Sequence, residues 1–396
     1  MCIWEQGSNL GHLSHLKSSV QAALNLGHEV FLVARELQGI PTVFKGLPVV
    51  CLQAPLKHGF VVEDQSAYLS MTHIIFRQCF SSVPELVMYI RAWRGLFDLV
   101  RPDLVLFEHA PTALIASLGY TFKRVLAGNG FSIPPQPADS SKPFAVFITT
   151  PSKGEVFERL HRDDLFVKNI INSALELLDM PTIQRMEDIY QQADEQLLFT
   201  CAALDHFGAR AVGYLGVERV PPQRSPEWPS KGRSKVFAYL GVFPGLENLL
   251  IALKESFVSA ILYVNGLSES LRQKYTSDSI EFLDQLVDLY KVGEQADWVI
   301  THGNHISTSI FAESGVPQLL IPLHQEHLFV GLRMQNEHGC AVLAYQDQSG
   351  YAAEVMEMIS SQRLRSGSIA LAQQCALFPK IETSCYVEGV IKRLLN

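Results

Sequence analysis

The chain has 396 residues, of which 47% are hydrophobic and 18% charged, and its formal net charge is −8 at pH 7. This length exceeds one hydrophobic core and predicts two domains of about 150–200 residues each. The composition is that of a globular protein, and the negative charge excludes a basic surface that binds nucleic acid. The seven cysteines form neither a CxxC pair nor a disulfide framework, which indicates free thiols in a reducing compartment.

The sequence carries no signal for export or for a membrane span. MCIWEQGSNLGH lacks the basic flank and apolar stretch of a secretion signal, and no run of about 18 apolar residues occurs. We therefore expect a cytoplasmic protein. Residues 73–97 are apolar with few, cationic charges, which leaves two interpretations open: a buried helix pair lining a cleft, or peripheral contact with a membrane.

Strand and helix patterns alternate through the first half of the chain. MCIWE is predicted to be a strand, and HLSHLKSSVQAALNLG repeats apolar residues at helical spacing up to Gly27, a good C-terminal cap. HEVFLVAR is the next predicted strand, and PDLVLFE, APTALIASLG and KRVLAGN follow as strand, helix and strand. This alternation predicts a parallel α/β sheet.

The Pro-rich stretch 217–234 breaks this periodicity and is the predicted linker between a domain at 1–216 and a domain at 235–396. The pattern then restarts with KVFAYLG, LENLLIALKES, SAILYVNG and ADWVI, and the last helix is expected to be able to pack back on the N-terminal domain. In doubly wound sheets, ligands bind outside the carboxyl ends of the strands. The motifs QGSNLGH and THGNHIST both lie at such strand ends.

THGNHISTSIFAESG joins a predicted strand to a short predicted helix. Asn304, Ser307 and Thr308 fall at or just before the helix N-terminus, where unpaired N–H groups and the helix dipole favour an anion. His302 precedes the turn and can donate a hydrogen bond to a phosphate oxygen. The pattern predicts a pyrophosphate-binding site. The alternative is that Ser or Thr simply caps the helix N-terminus. A second polar cluster, HQEH at 324–327, follows the next predicted strand and favours the interpretation as a binding site.

These motifs resemble those of the GT-B glycosyltransferases related to UDP-glycosyltransferases and to bacterial macrolide and YjiC-type enzymes. That family's signature runs His-Gly-Gly-x-Gly-Ser/Thr, then Gly-Val-Pro, then a Pro followed by an acidic residue and Gln. Here 302–308 read HGNHIST, 315–317 read GVP, and Pro322 precedes Glu326 and His327. The resemblance covers nearly the whole chain. It implies an α/β GT-B fold, with two Rossmann-like doubly wound parallel-sheet domains facing each other across a cleft.

The same resemblance implies a nucleotide-sugar site in the C-terminal domain, for a UDP- or TDP-sugar. The sequence departs from the family at four points: Asn304 and Ile306 each replace a Gly, Ile310 stands at the acidic position often used on the ribose, and His327 replaces the Gln. The implied donor-binding residues are Gly241, His302, Gly303, Asn304, Ser307, Thr308, Glu326 and His327.

In the N-terminal domain, His12 begins the first predicted helix on the side of the predicted cleft. Spacing alone also fits a solvated histidine, but the resemblance assigns His12 as the catalytic base and Glu108 as the carboxylate that orients it. His109 is expected to point elsewhere. The family chemistry implied is inverting transfer, and the absence of an Asp-x-Asp motif suggests no metal. The adjacent Asp163 and Asp164 are predicted to be solvated.

The acceptor is the least determined part of the prediction. Residues 54–97 are where relatives vary to shape the acceptor pocket, and their aromatic content predicts an apolar acceptor, with ordinary core packing as the alternative. The acceptor-binding candidates are His15, Phe60, Phe76 and Phe80.

The expected function is an inverting, metal-independent glycosyltransferase of the hexosyltransferase type. It would move a sugar from a nucleotide-diphosphate sugar to a hydroxyl of a small apolar acceptor, without a further cofactor. Two rivals remain at this stage: a non-catalytic nucleotide-sugar-binding partner protein, suggested by Ile310 and His327, and an epimerase of the same fold.

Overall fold

The computed structural model describes residues 1–7, 10–57, 67–136, 142–151, 154–217, 223–376 and 382–396. The chain divides into two compact units. Unit 1 comprises Met1–Phe199, Arg210–Glu218 and Lys380–Asn396, and unit 2 comprises Thr200–Ala209 and Arg219–Pro379. Neither unit is one continuous stretch, because a short segment near residue 200 belongs to unit 2 and the C-terminal stretch belongs to unit 1.

Unit 1 contains a six-stranded parallel sheet in the order β3-β2-β1-β4-β5-β6. The strands are β1 (Cys2–Trp4), β2 (Val30–Ala34), β3 (Val49–Gln53), β4 (Leu104–Glu108), β5 (Lys123–Gly128) and β6 (Glu195–Leu198). The helices are α1 (Leu10–Asn25), α2 (Ile40–Val43), α3 (Met71–Ile74), α4 (Val83–Val100), α5 (Pro111–Ala116), α6 (Gly154–Glu176) and α7 (Asp188–Gln191), with a π-helical turn at Ile75–Cys79.

The core of unit 1 forms because its strands are apolar on both faces and its helices on one. Helix α1 buries Leu13, Leu16 and Val20 against the sheet, and the C-terminal helix at Thr383–Leu395 adds Val387 and Val390 to the same cluster. Burial of such a side chain contributes about 1.5–3 kcal/mol. The C-terminal helix is therefore part of the core of unit 1.

Unit 2 repeats this arrangement, with six parallel strands in the order β12-β11-β10-β7-β8-β9. The strands are β7 (Lys235–Gly241), β8 (Ser259–Asn265), β9 (Ile280–Phe282), β10 (Trp298–Thr301), β11 (Gln318–Leu320) and β12 (Ala341–Leu343). The helices are α8 (Leu246–Glu255), α9 (Glu269–Tyr275), α10 (Leu289–Gln295), α11 (His305–Glu313), α12 (Gln325–Asn336), α13 (Ala352–Ser360) and α14 (Gln362–Ala376), and α15 (Thr383–Leu395) completes the chain in unit 1. A 3₁₀ turn spans Ala202–Leu204.

The doubly wound α/β prediction is confirmed in both sheets. In unit 1 the first strand, β1, pairs with both β2 and β4, and in unit 2 the first strand, β7, pairs with both β8 and β10. The strand order therefore reverses once in each sheet. The connections on the two sides of the reversal diverge, which leaves a crevice outside the carboxyl ends of those two strands.

Helix α6 differs from the prediction at two carboxylates. Asp163 and Asp164 were expected to be solvated on α6, but both are used within unit 1. Asp163 Oδ2 accepts a hydrogen bond from His73 Nε2 at 3.1 Å, and Asp164 accepts from Thr72 Oγ1 at 2.5 Å and from the Phe144 N–H at 2.8 Å. These hydrogen bonds join α6 to α3 and to the backbone at Phe144.

The apolar residues at 73–97 form helices that bury most of their apolar side chains, while Met88 is exposed. Helix α4 buries Leu86, Ile90 and Trp93, and the Trp93 Nε1–H donates to Thr112 Oγ1 at 2.8 Å. These contacts account for the apolar character of the segment by packing within unit 1. Among the described residues, every helix is too short or too polar to traverse a lipid bilayer.

Glu5, directly after β1, is a fully buried carboxyl group that caps helix α5. Its oxygens accept hydrogen bonds from the Thr112 hydroxyl at 2.6 Å, the Thr112 N–H at 3.0 Å and the Ala113 N–H at 3.2 Å. Burial raises the pKa of Glu5 from its ordinary value of 4.5 to about 7, and the hydrogen bonds from Thr112 and Ala113 limit that rise.

We predict that Glu5 makes the stability of unit 1 fall as the pH rises from about 4.5 to about 7. In that window the folded chain retains a proton that the unfolded chain has released, so raising the pH favours unfolding. Glu5→Gln should flatten this dependence in urea unfolding followed at several pH values across the window. Glu158→Gln, an exposed change on α6, serves as the control and should keep the wild-type slope. An equal slope in Glu5→Gln and wild type would contradict the prediction.

Candidate functional site

The reversal of strand order in unit 1 brings His12 and Glu108 together. Glu108 is the last residue of β4, and His12 lies in the first turns of α1, which follows β1. His12 Nδ1 lies 2.8 Å from Glu108 Oε2 and 3.0 Å from Oε1. The carboxylate is completely buried and the histidine is 8% exposed. Because a carboxylate only accepts, Nδ1 carries the proton, and Nε2 is the nitrogen with the lone pair.

His109 stands beside this pair, and the expectation that it would point elsewhere was wrong. Its ring is parallel to that of His12, with the centroids 6.1 Å apart and an interplanar angle of 10°. The opposite face of the His12 ring stacks on Trp4 at 5.4 Å. His109 adopts φ +41°, and its carbonyl accepts from the Gln6 N–H at 2.9 Å. This left-handed backbone turns the chain after β4 and brings the second imidazole toward α1.

Gly7 makes room for the His12 ring. Its φ of +86° lies in the left-handed region, and a Cβ on it would stand 2.0 Å from His12 Nε2. The ring therefore packs directly on the Cα of residue 7, and only glycine permits both the backbone angle and the approach. The turn after β1 therefore helps to position the His12 ring.

Ser132 is a member of this cluster that sequence reasoning missed. Its Oγ–H donates to Glu108 Oε1 at 3.0 Å. The Asn129 side chain closes the turn after β5 by accepting from the Phe131 N–H at 2.9 Å and the Ser132 N–H at 3.1 Å. The Gly-Asn-Gly sequence at the end of β5, next to β4 in the sheet, was the signal in the sequence that could have found it.

In unit 2, helix α11 begins at His305, so Ser307 and Thr308 lie within its first turn. Asn304 is its N-cap, and the first helical bond runs from the Thr308 N–H to the Asn304 carbonyl at 2.9 Å. The N–H groups of Ile306 and Ser307 precede that bond, so they have no acceptor within the helix. The Ser307 hydroxyl donates back to the Asn304 carbonyl at 3.1 Å. The anion-attracting groups at this end are therefore main-chain amides.

The structure does not place Thr308 among the groups that face outward at this helix end. Its side chain is completely buried and its N–H is bonded to Asn304. Ile310 lies in the core of unit 2 beside Phe237 and Phe311, which agrees with its inability to replace an acidic ribose ligand. Two positions that are two residues apart lie on nearly opposite sides of a helix. Both are buried because α11 is covered on almost all sides, with every residue from 307 to 312 buried.

His302 connects three strand ends at the reversal of the second sheet. Its Nδ1 lies 2.8 Å from the Ile321 carbonyl, and the Gly241 N–H donates to its Nε2 at 2.8 Å. We assign the proton to Nδ1 because these partners require a donor there and an acceptor at Nε2. Burial lowers the pKa of His302, and this favours the neutral ring. To donate to a phosphate through Nε2, the ring would have to lose the hydrogen bond from the Gly241 N–H and carry a proton on Nε2.

His327 lies next to His302 and is also neutral. The two rings are parallel, with centroids 6.4 Å apart, and the His324 ring is 3.6 Å from that of His327. Burial and the neighbouring His324 hold the pKa of His327 well below its usual range. A Cβ on Gly303, whose φ is +93°, would stand 2.9 Å from the His327 carbonyl, so this glycine permits the close approach. Glu326 is partly exposed in the first turn of α12.

The acceptor candidates are spread over different environments. His15 is buried and stacks on Phe199 with centroids 6.0 Å apart, and Phe80 is completely buried. Phe76 is partly exposed and packs edge-on against Phe80 at 6.1 Å. Phe60 lies outside the described residues. The structure thus places Phe80 in the core, as the alternative interpretation held, and leaves Phe76 at its margin.

A row of rings extends from the His12–Glu108 pair. The His109 ring lies 5.8 Å from that of Phe131, and Phe131 stacks at 6.1 Å on Phe147. These side chains come from the ends of β4 and β5 and from the loop before α6, so the sequence gives no sign that they are neighbours. In the part of the chain that the structure describes, no group of three or more His, Cys, Asp or Glu residues is placed to hold a metal ion.

Comparison with known proteins gives matches in structure but not in sequence. No family profile matches the chain, and no curated protein does. The glycosyltransferase SnogD from Streptomyces nogalater is similar over 99% of both chains, with a TM-score of 0.64 and 15% identity. The glycosyltransferase VinC in complex with DTDP matches 100% of this chain and 99% of its own, with a TM-score of 0.61 and 14% identity.

A third match is the spinosyn rhamnosyltransferase SpnG complexed with spinosyn aglycone, with a TM-score of 0.60, 14% identity and 100% of both chains covered. At this level of identity, the shared property is the fold. The two doubly wound parallel sheets of this chain are those of the GT-B fold, and the predicted fold is confirmed.

We predict that Gly7→Ala displaces His12 from Glu108. A left-handed backbone costs a residue with a side chain roughly 1–2 kcal/mol, and the new Cβ would overlap the ring. Urea unfolding should therefore show lower stability, and a crystal structure should show the imidazole moved. Gly11→Ala is the matched control: outside the backbone of α1, no described atom lies within 4 Å of the added Cβ, and the change should stabilise α1 by about 0.5–1 kcal/mol. An unmoved ring in Gly7→Ala would refute the prediction.

Proposed function

We propose that this protein is an inverting, metal-independent glycosyltransferase that moves a sugar from a nucleoside-diphosphate sugar to a hydroxyl of a small apolar acceptor. The hydrogen-bonded His12–Glu108 pair at the strand reversal of unit 1 carries the proposal. The GT-B fold supports it, because the structural neighbours with this fold are glycosyltransferases. A non-catalytic sugar-nucleotide binder would have no use for a buried base–carboxylate pair, so this alternative is not favoured.

In the proposed reaction His12 is the general base. Its Nε2 takes the proton of the acceptor hydroxyl as the oxygen attacks the anomeric carbon of the donor. The bond from that carbon to the diphosphate oxygen breaks on the opposite face, which inverts the anomeric configuration. The imidazolium that forms is stabilised by the Nδ1–H···Glu108 hydrogen bond, since the carboxylate retains its negative charge.

In unit 2, we assign the leaving diphosphate to the start of α11. The main-chain N–H groups of Ile306 and Ser307 and the positive end of the helix dipole would stabilise the negative charge that develops on the leaving oxygen. Gly241, Gly303 and Asn304 would supply the close backbone approach. Glu326 and His327 would bind the sugar hydroxyls, and a neutral imidazole retains one donor and one acceptor, as the family's Gln does.

The nucleotide and the acceptor are assigned by class. VinC is in complex with DTDP and SpnG is complexed with spinosyn aglycone, so a TDP- or UDP-sugar and a small apolar acceptor are the first candidates. The row of rings from His109 through Phe131 to Phe147 supports an apolar acceptor, because it continues directly from the proposed base. Phe76, which is partly exposed in the π-helical turn of unit 1, is a further candidate for contact with the acceptor.

We predict that His12→Ala lowers the rate of transfer by about 10²–10⁴-fold, the usual contribution of a general base. Its affinity for the nucleotide, measured by calorimetry, should stay near that of wild type because the diphosphate is assigned to unit 2. His28→Ala, an exposed change after α1, is the control for loss of a histidine in general. Turnover within about tenfold of wild type in His12→Ala would remove His12 from the mechanism.

We predict that His302→Ala weakens nucleotide binding by about 1–3 kcal/mol, since it removes two hydrogen bonds that join the ends of β7, β10 and β11. Thermal shifts with UDP, dTDP and GDP would first identify the preferred nucleotide, and calorimetry with that nucleotide would measure the loss. His338→Gln, in the same unit, keeps a side-chain donor toward the Ala203 carbonyl and should bind normally. Equal affinity in His302→Ala and wild type would place the nucleotide elsewhere.

A further inference from the structure

We propose that Ser132 is a positioning residue of the transfer reaction, which acts through Glu108 to hold the base His12. This inference rests on the proposed function and adds a third group to the pair. Ser132 comes from the turn after β5, a different strand end from those that supply His12 and Glu108. Its hydroxyl reaches Glu108 Oε1 at 3.0 Å, the oxygen that lies 3.0 Å from His12 Nδ1.

The need for Ser132 follows from the burial of Glu108. A carboxylate without solvent contact is costly unless hydrogen bonds replace its water. His12 Nδ1 is a single donor that is shared between the two carboxylate oxygens, at 2.8 and 3.0 Å. The Ser132 hydroxyl adds a separate donor to Oε1, so the carboxylate retains its charge and its orientation when His12 carries the additional proton.

The turn after β5 is built to bring Ser132 to this oxygen. Gly128 has φ +145°, and a Cβ there would stand 2.7 Å from Ser132 Cβ and 3.2 Å from Glu108 Oε1. A side chain at residue 128 would thus occupy the space that the contact requires. Asn129 then fixes the turn through its bonds to the Phe131 and Ser132 N–H groups. Two independent features of one short turn serve the same hydrogen bond.

The pH dependence of kcat distinguishes a role of Ser132 in the reaction from a role in folding. Without the Ser132 hydroxyl, the negative charge of the pair is less well solvated, so the coupled His12–Glu108 pair takes up a proton at higher pH. The base is then lost at higher pH, and the acid limb of the pH–kcat profile moves upward. The other imidazole beside the pair is that of His109, whose ring centroid lies 6.1 Å from that of His12.

The experiment compares Ser132→Ala, Ser132→Thr and Ser19→Ala with wild type, using the nucleotide sugar and acceptor that wild type turns over. Ser132→Ala should lower kcat by roughly tenfold or more, the effect of one hydrogen bond to a charged group. Its KM for the donor should stay within about twofold of wild type, and its acid limb should move to higher pH. Ser132→Thr retains the hydroxyl and should restore both. Ser19 is a buried serine of α1 without a hydrogen-bonded hydroxyl, so Ser19→Ala should behave as wild type.

Two outcomes would overturn the inference while leaving the proposed function intact. One is a Ser132→Ala enzyme with the kcat and pH profile of wild type. The other is a lower kcat with an unmoved acid limb and a raised KM, which a purely structural defect would give. Failure of wild type itself to turn over any UDP-, TDP- or GDP-sugar would instead count against the proposed function.

The inference remains testable in that last case by NMR. The His12 ring signal, identified by its absence in His12→Ala, is titrated in wild type and in Ser132→Ala. A midpoint at higher pH in Ser132→Ala supports the contact with Glu108 as a determinant of the base, and an unmoved midpoint overturns it.

Discussion

A parallel sheet that reverses its strand order must separate the two connections that leave its central strands, and this constraint determines where chemistry can occur in both units. In unit 1 the separation falls between β1 and β4, and in unit 2 between β7 and β10. His12 and Glu108 lie at the first reversal, and His302 joins the strand ends at the second. The crevice that each reversal leaves outside the carboxyl ends of its strands is where we propose that the substrates bind.

Within that constraint, the pair in unit 1 depends on how a buried negative charge is compensated. Glu108 has no solvent, so its hydrogen bonds decide both its charge and its direction. Glycine supplies the necessary space at two positions: Gly7 lets the imidazole approach the turn after β1, and Gly128 lets the turn after β5 approach the carboxylate. The catalytic geometry that we propose is therefore produced as much by missing side chains as by those present.

The second unit uses neutral groups where charge would be expected. Burial favours uncharged rings at His302 and His327, so in the function that we propose the attraction for the diphosphate would come from the amides and dipole at the start of α11. A diphosphate site of this kind depends on backbone geometry more than on particular side chains. The chain shares the fold of SnogD, VinC and SpnG at only 14–15% sequence identity.

The sequence by itself determined the alternation of strands and helices, the doubly wound class and the strand-end positions of His12, Glu108 and His302, because these follow from local periodicity and turn residues. It could not determine that His109 stacks on His12, that Ser132 reaches Glu108, or that Thr308 turns into the core. Those facts depend on the register between strands distant in sequence and on the rotation of each helix about its axis. Long-range packing sets both, and no local pattern of residues records them.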